Sequence, residues 1–376
     1  MSALSHISAI KDAQILVIKI GSALLVEPGG KLRTSWLNAL AGDVAKLRGE
    51  GKQIVLVSSG AIALGAGVMN MKGRPGRLEE AQAAASVGQI QLAQAYQACF
   101  ECHEIVTAQL LLTLADLEDR PRYLNARNTV KELLARGVIP VINENDTVAT
   151  SEIRFGDNDR LAARVAQLAS ADTLVLLSDI DGLYSADPRT DKNAELLPFV
   201  EQITPEIEAL AGPADRTAVG SGGMVTKLAA AKIALAGGCS MLIMNGIKDA
   251  PISRVLGGDA CTLFPANSTP LAVRKRWIRG MMAPKGMLHI DEGAAKALAR
   301  GASLLPAGIT QTLGDFSRGD LVAFVGPHGE IIGQGLVSYS AEDAIKLEGK
   351  SMSDAAGILG YAGRSALVHR DDLILL

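Results

Sequence analysis

Short apolar runs alternate with Ala-rich stretches over residues 1–280. The intervening stretches, such as Ala81–Ala98 and Leu161–Leu168, place apolar residues at helical spacing. Continuous apolar strands separated by helices are typical of parallel sheets that are covered on both faces. The pattern therefore predicts an α/β fold with an open, mainly parallel sheet sandwiched by helices. The predicted strands are Gln14–Ile20, Gln53–Val57, Gly137–Ile142, Thr173–Leu177 and Met241–Met244.

The pattern changes around Pro284, after which turn residues lie closer together. Runs such as Leu321–Val325 and Gly335–Tyr339 have the length of short antiparallel strands. We therefore predict two domains, covering residues 1–280 and 285–363, of which the second is small and mainly β. A chain of 376 residues is long enough for both to bury a core.

Composition limits the partners and the compartment. The chain carries 37 Lys and Arg against 40 Asp and Glu. This balance argues against binding of nucleic acid or of an anionic membrane as the main role. No apolar run approaches the ~18 residues that a membrane helix needs. Four cysteines are too few for a disulfide framework, and Cys99 and Cys102 lie in a predicted helix, where we interpret them as ordinary helix residues. We predict a cytoplasmic protein without membrane association.

Several common catalytic patterns are missing from the sequence. It has neither the G-x-x-x-x-G-K-[ST] motif of P-loop proteins nor a well-placed G-x-G-x-x-G. The scattered histidines argue against a His-based triad or a His-ligated metal, and we assign no metal ligands. The histidines are His6, His103, His289, His328 and His369. The remaining Lys, Gly, Ser, Asn and Asp side chains suit a site for phosphate and a small polar substrate.

Polar residues follow the predicted strands at the edge where ligands bind in open α/β sheets. Lys19, followed by Gly21 and Ser22, suits an anion site, although alone it fits a surface lysine equally well. Asp and Asn are ordinary helix caps, but Asn143–Asp146 and Gly156–Asp159 carry more of them than one helix start can use. We therefore expect these polar segments to share one ligand crevice. The others are Ser58-Ser59-Gly60-Ala61 and Ser178-Asp179.

A glycine-rich segment, Gly220–Lys227, precedes a predicted helix at Leu228–Ala236. Backbone N–H groups at a helix start bind anions, so this segment predicts a second phosphate site, with a flexible loop as the alternative. Two lysines on separate elements suit phosphoryl transfer, because fixed cations stabilise the charge on the transferring group.

At this point the chain resembles the amino acid kinase family over nearly its whole length, most closely the branch that phosphorylates L-glutamate. The resemblance rests above all on the combination of Asn143-Glu144-Asn145-Asp146 with Gly156-Asp157-Asn158-Asp159. The C-terminal stretch is similar to the PUA domain of bacterial members. Supporting segments are Val17–Ser22, Val57–Ala61, Gly182-Leu183-Tyr184, Asp187-Pro188-Arg189 and Gly222–Lys227, with Asp291–Ala294, Gly301–Pro306 and Phe316–Gly319 for the PUA domain.

The resemblance implies ATP-dependent phosphorylation of the L-glutamate side-chain carboxylate, the first step of proline biosynthesis. It implies that Lys19 and Lys227 bind the nucleotide phosphates and stabilise the transferring group, while Asp159 orients both lysines. Two further sets of roles follow from it. Glutamate would be held by Ser59, Asp146 and Asn158, and the ATP site would be lined by Lys19, Ser178, Asp179, Ser221, Gly222, Gly223, Met224, Val225, Thr226 and Lys227.

The resemblance also implies Mg²⁺ bound mainly by the ATP phosphates, feedback inhibition by proline, a homo-oligomer (dimer or tetramer) and a possible association with the next enzyme of the pathway. An acetylglutamate, aspartate or carbamate kinase is the nearest alternative. RNA binding is a second alternative, because PUA domains occur in RNA-modifying enzymes. Lys285–Leu376 holds 8 Lys and Arg against 11 Asp and Glu, however, which argues against RNA as the main partner.

Overall fold

The computed structural model describes residues 3–71, 73, 75–148, 158–212, 223–280, 283–361 and 364–376. Its internal contacts divide the chain into two compact units, Met1–Pro270 and Leu271–Leu376. Within the described segments, no helix combines the length and the apolar character needed to cross a membrane.

The described part of the first unit contains a seven-stranded sheet with the order β3-β4-β2-β1-β5-β8-β9. Neighbouring strands are parallel except β9, which runs antiparallel to β8. A separate antiparallel pair is formed by β6 and β7. The strands are β1 (Ile15–Ile20), β2 (Gln53–Ser58), β3 (Thr107–Leu112), β4 (Ile139–Glu144), β5 (Thr173–Ser178), β6 (Leu183–Tyr184), β7 (Leu196–Leu197), β8 (Ser240–Asn245) and β9 (Cys261–Phe264).

Helices cover both faces of this sheet, as predicted. They are α1 (Ala3–Lys11), α2 (Ser22–Leu25), α3 (Thr34–Gly49), α4 (Ala61–Val68), α5 (Leu78–Glu101), α6 (Leu114–Glu118), α7 (Arg120–Ala135), α8 (Asn158–Ala169), α9 (Pro205–Ala209), α10 (Met224–Ala236) and α11 (Pro251–Leu256).

The alternation of side chains along the central strand β1 determines which layer each residue contacts. Leu16, Ile18 and Ile20 belong to the core that also contains α3 and α5. Val17 belongs to the core on the opposite face, with α8 and α10. Lys19 is two residues beyond Val17, so its side chain projects from the same face, towards α8 and α10.

The predicted strands are confirmed with shifts of one or two residues at their ends, but two strands of the seven-stranded sheet, β3 and β9, were not predicted, and neither was the β6–β7 pair. β3 is an edge strand whose side chains are mostly half-exposed, so it lacks the continuous apolar pattern that marked the others. β9 has only four residues. α10 begins at Met224, four residues earlier than predicted, so Lys227 lies within the helix.

The second unit contains a five-stranded sheet with the order β11-β10-β12-β13-β14 in its described residues. Antiparallel pairs dominate, and β10 and β12 are parallel. The predicted strand at Gly335–Tyr339 has the wrong bounds, because the strand in this region, β13, runs from Ile331 to Leu336. The elements are α12 (Pro270–Arg279), β10 (Gly286–Ile290), α13 (Glu292–Ala299), β11 (Ile309–Gly314), β12 (Leu321–Val325), β13 (Ile331–Leu336), α14 (Ala341–Leu347), α15 (Ala355–Leu359) and β14 (Leu373–Leu375).

The division between the units falls earlier along the chain than the 280/285 boundary suggested by the sequence. α12 joins the second unit because Ile278 is buried against Leu336 and Ile374, and because Arg274 Nη2 lies 2.6 Å from Asp372 Oδ1. The C-terminal strand β14 pairs with β13, so this unit also extends beyond residue 363.

Candidate active site

A buried cluster of two lysines and one aspartate lies where β1, α8 and α10 meet. Lys19 Nζ is 2.6 Å from Asp159 Oδ1, and Lys227 Nζ is 3.4 Å from Asp159 Oδ2. The exposed side-chain fractions are 9% for Lys19, 7% for Lys227 and 1% for Asp159. Asp159 lies in the first turn of α8 and Lys227 near the start of α10, so two helix N-termini converge here.

Asp159 is ionised in this cluster. Burial alone would raise its pKa, but the charges of Lys19 and Lys227 outweigh burial and lower the pKa to about 2. Thr226 Oγ1 adds a hydrogen bond by donating to Asp159 Oδ2 at 2.9 Å. One carboxylate therefore holds two ammonium groups together, and the cluster has one positive charge more than it has negative charges.

The wall next to this cluster is formed by the turn from β2 into α4. Gly60 caps α4 in the left-handed conformation with φ 106°, which favours glycine. α4 packs so closely on α5 that a Cβ at Gly65 would lie 1.7 Å from the carbonyl oxygen of Ala84. Only glycine fits at this contact. This close packing fixes the position of Ser59, which directly precedes the N-cap of α4.

Asn158, at the start of α8, links Ser59 to the end of β4. Its Nδ2 donates to Ser59 Oγ at 2.7 Å, to the Ser58 carbonyl oxygen at 2.9 Å and to Asn143 Oδ1 at 3.1 Å. Asn158 Oδ1 is buried and has no hydrogen-bond partner among the described residues. A buried acceptor at this position is suited to a ligand that donates a hydrogen bond.

Asp146 follows β4 and contributes a second carboxylate. Burial raises its pKa to about 6. A cationic ligand group beside Asp146 would favour the ionised form and relieve this penalty.

The end of β5 and the start of α10 form the remaining side. Ser178 Oγ donates to Asp179 Oδ1 at 3.1 Å. Gly223 is the N-cap of α10, so the next residues, Met224, Val225 and Thr226, lie in its first turn. The predicted residues Ser221 and Gly222 lie outside the described residues.

One cavity of about 660 Å³ connects these parts. It is lined by half of the predicted site residues, namely Lys19, Ser59, Asp146, Asn158, Ser178, Asp179 and Lys227. Asp159 lies behind the two lysines, and Gly223 to Thr226 do not line the cavity. Among the described residues, no group of three or more His, Cys, Asp or Glu side chains could hold a metal ion.

Comparison with known proteins identifies the family of two regions of the chain. The Amino acid kinase family matches residues 14–245, and the PUA domain matches residues 286–359. This chain belongs to the amino acid kinase family.

Curated relatives from this family match the chain almost end to end. Glutamate 5-kinase of Rhizobium etli (strain CIAT 652) is 54% identical over 360 residues, covering 96% of this chain and 92% of the relative. Glutamate 5-kinase of Paramagnetospirillum magneticum is 53% identical and covers 98% of this chain and 99% of the relative. Glutamate 5-kinase of Ruegeria sp. (strain TM1040) is 53% identical and covers 98% of this chain and 100% of the relative.

Sequence reasoning missed two residues that contact the lining of this candidate site. Asn143, which lines the cavity, belongs to the polar segment that was expected at the ligand crevice, but it was given no role of its own. Gln89 and Tyr96 lie on α5 and hydrogen-bond to Asn143 and Ser58. Polar residues within a helical pattern carry no local signal of such contacts; at most, their spacing of seven residues indicates that they share one face.

Proposed function

We propose that this protein transfers the γ-phosphoryl group of ATP to the side-chain carboxylate of L-glutamate, giving L-glutamyl 5-phosphate. The observation that carries this proposal is the buried cluster of Lys19, Asp159 and Lys227 beside a cavity that is also lined by Ser59, Asp146 and Asn158. Cations for a polyphosphate thus lie next to polar groups suited to an amino acid. The names of the curated relatives support glutamate as that amino acid.

In this proposal, Lys19 and Lys227 bind the phosphates and stabilise the charge that spreads over the transferring group. Asp159 is a positioning residue, because its two oxygens each hold one lysine. The start of α10 directs its backbone N–H groups and positive dipole end towards the phosphates. We assign the ATP site to Ser221 and Gly222, which lie outside the described residues, to the helix start from Gly223 to Thr226, and to Ser178 and Asp179.

Glutamate would be held on the opposite side of the cavity. The Asp146 carboxylate attracts the α-ammonium group, and Asn158 Oδ1 accepts one of its N–H bonds. Ser59 provides a hydroxyl at the same wall. A glutamate side chain has a pKa of about 4.3 and is ionised at neutral pH, so the nucleophile needs no general base. The residues of the site therefore align two anions and neutralise their repulsion.

Mg²⁺ is the metal ion expected with ATP, and it would neutralise part of the phosphate charge when bound. The described residues offer no dedicated cage of carboxylates for it. Mg²⁺ commonly keeps several bound waters and binds through substrate phosphates. The ATP phosphates and water would therefore supply most of its ligands.

The test is a hydroxylamine trap for acyl phosphates with ATP and Mg²⁺, comparing L-glutamate, N-acetyl-L-glutamate and L-aspartate. We expect hydroxamate from L-glutamate alone. Lys227→Ala should lower kcat by at least about 100-fold, as expected when a preorganised charge at a transition state is lost. Lys232→Ala is the matched control, because Lys232 lies on the same helix but pairs with Glu208 at the surface. Hydroxamate from another acid would overturn the choice of substrate, and full activity of Lys227→Ala would overturn the site.

We also propose, from the family resemblance, that proline inhibits the reaction and that the protein is a homo-oligomer. We further propose that it works in the cytoplasm, in proline biosynthesis, in association with the next enzyme of that pathway. Adding L-proline to the hydroxamate assay tests inhibition, and sedimentation velocity tests the oligomer. The PUA domain leaves RNA binding as a second role to be tested by filter binding, although the excess of acidic residues after Lys285 argues against it.

A further inference from the structure

Two residues of α5 contact the substrate side of the site from behind. Gln89 and Tyr96 are seven residues apart, so they lie on the same face of the helix two turns from each other. Gln89 Oε1 accepts a hydrogen bond from Asn143 Nδ2 at 2.8 Å. The Tyr96 hydroxyl donates to Ser58 Oγ at 2.9 Å. Neither Gln89 nor Tyr96 lines the cavity, whereas Asn143 does.

Backbone groups determine the orientation of the amides in this network. Asn143 Oδ1 accepts from the backbone N–H of Glu144 at 2.9 Å, so its NH₂ group faces Gln89. Asn158 Nδ2 donates to the carbonyl oxygen of Ser58 at 2.9 Å. A backbone N–H can only donate and a carbonyl oxygen can only accept, so neither amide can be flipped without losing a bond. This orientation presents Asn158 Oδ1 as the acceptor that has no partner among the described residues.

Tyr96 orients the hydroxyl group of Ser58 towards the carbonyl oxygen of Ser59. Because Ser58 Oγ accepts from Tyr96, its own proton is available for the carbonyl oxygen of Ser59, 3.2 Å away. Ser58 and Tyr96 are both fully buried, and the Tyr96 ring stacks on Phe100 with centroids 6.4 Å apart. A rigid aromatic side chain thus fixes the turn that carries Ser59.

We propose that Gln89 and Tyr96 are positioning residues for the carboxylate substrate, acting through Asn143 and Ser58 to orient the acceptor Asn158 Oδ1 and the Ser59 hydroxyl. The proposal rests on the proposed function, because it concerns the acceptor side of the same reaction. Asp159 is held by Lys19 of β1 and by Thr226 and Lys227 of α10, and none of these contacts involves α5, so loss of the α5 contacts should leave the ATP side unchanged.

The experiment compares steady-state kinetics of three variants with the parent enzyme. Gln89→Met keeps the length of the side chain but removes the acceptor, Gln89→Glu keeps an acceptor oxygen, and Tyr96→Phe removes only the hydroxyl. For Gln89→Met and Tyr96→Phe we expect KM for glutamate to rise about tenfold, the factor for one hydrogen bond between neutral groups, with KM for ATP unchanged. Gln89→Glu should restore most of the affinity. Gln91→Met, at an exposed position of the same helix, is the control.

Equal increases in both KM values, or a loss of unfolding free energy without a change in KM for glutamate, would overturn the positioning proposal. A double variant, Ser58→Ala with Tyr96→Phe, should be no worse than the more affected single variant, because both remove the same contact. Additive effects of the two substitutions would contradict the proposal that Tyr96 acts through Ser58. Activity of the parent with glutamate tests the proposed function separately. A parent active with another acid overturns glutamate as the substrate and moves the comparison to that acid, whereas a parent inactive with every acid overturns both proposals.

Discussion

Replacing Asp159 by asparagine should destabilise the first unit strongly, because it removes the buried carboxylate that pairs with both Lys19 and Lys227. The pKa of Asp159 lies near 2, almost two units below its ordinary value of 3.8. At 1.36 kcal/mol per unit, this shift corresponds to roughly 2–3 kcal/mol of stabilisation at neutral pH. Measured losses on removing one partner of a buried ion pair are about 3–5 kcal/mol. We therefore expect Asp159→Asn to cost about 3 kcal/mol.

The sign of this effect can be tested with pH. A depressed carboxylate pKa stabilises the folded state above the ordinary value of 3.8, and the contribution is lost as pH falls towards 2. The difference in unfolding free energy between the parent and Asp159→Asn should therefore be constant from pH 5 to pH 8 and shrink below pH 4.

Urea unfolding followed by tryptophan fluorescence measures this effect in the first unit. Trp36 is fully buried there, whereas Trp277, in the second unit, is 53% exposed, so the blue-shifted part of the emission reports Trp36. With a typical slope of about 3 kcal/mol per molar urea, the midpoint should fall by roughly 1 M. Adding Lys227→Met to Asp159→Asn should restore part of the loss, since it removes one of the two buried ammonium groups that Asp159 holds together. A double variant no more stable than Asp159→Asn would refute the electrostatic reasoning.

Two further predictions concern the substrate side of the cavity and the packing behind it. Because burial raises the pKa of Asp146 to about 6, kcat/KM for glutamate should fall below pH 6, by about tenfold at pH 5, as the carboxylate is protonated. Asp146→Asn should be weak at every pH and show no such dependence, which a pH–rate profile would check. Gly65→Ala should cost at least about 2 kcal/mol in urea unfolding, because its Cβ would lie 1.7 Å from the carbonyl oxygen of Ala84. Gly42→Ala, in α3 with no atom within 4 Å of the added Cβ, should be neutral or stabilising.

Much of the sheet could be predicted from local sequence patterns, which also indicated Lys19 and Lys227 as phosphate-binding residues, whereas the role of Asp159 between them followed from the resemblance to the amino acid kinase family. Continuous apolar runs marked the central strands, and the polar residues after them lie at one edge, where carboxyl ends of parallel strands meet. Lys19 is an instructive case. Taken alone it fitted a surface lysine, whereas the alternation along β1 directs it to the buried face with α8 and α10.

The parts that were not predicted depend on tertiary contacts. β3 is an edge strand with mostly half-exposed residues, and Thr107 and Gln109 interrupt its apolar residues, so it lacks the continuous apolar pattern of the central strands. Gly65 lies within a helix, where glycine usually only weakens the element. Its role is visible only once α5 lies against α4, with the Ala84 carbonyl oxygen in the space that a Cβ would need. Gln89 likewise resembles any polar helix residue until β4 places Asn143 beside it.

The excess positive charge of the cluster connects its stability with the proposed reaction. Lys19 and Lys227 share the carboxylate of Asp159, so these three side chains together carry one net positive charge. A polyphosphate bound beside them would interact with this charge in a setting of low dielectric, where the attraction is stronger than in water. The same carboxylate that keeps the lysines close together in the free protein thus leaves part of their charge for the ligand. If Asp159 were joined by a second buried carboxylate, the cluster would be neutral before the nucleotide arrived, and binding of the phosphates would be weaker.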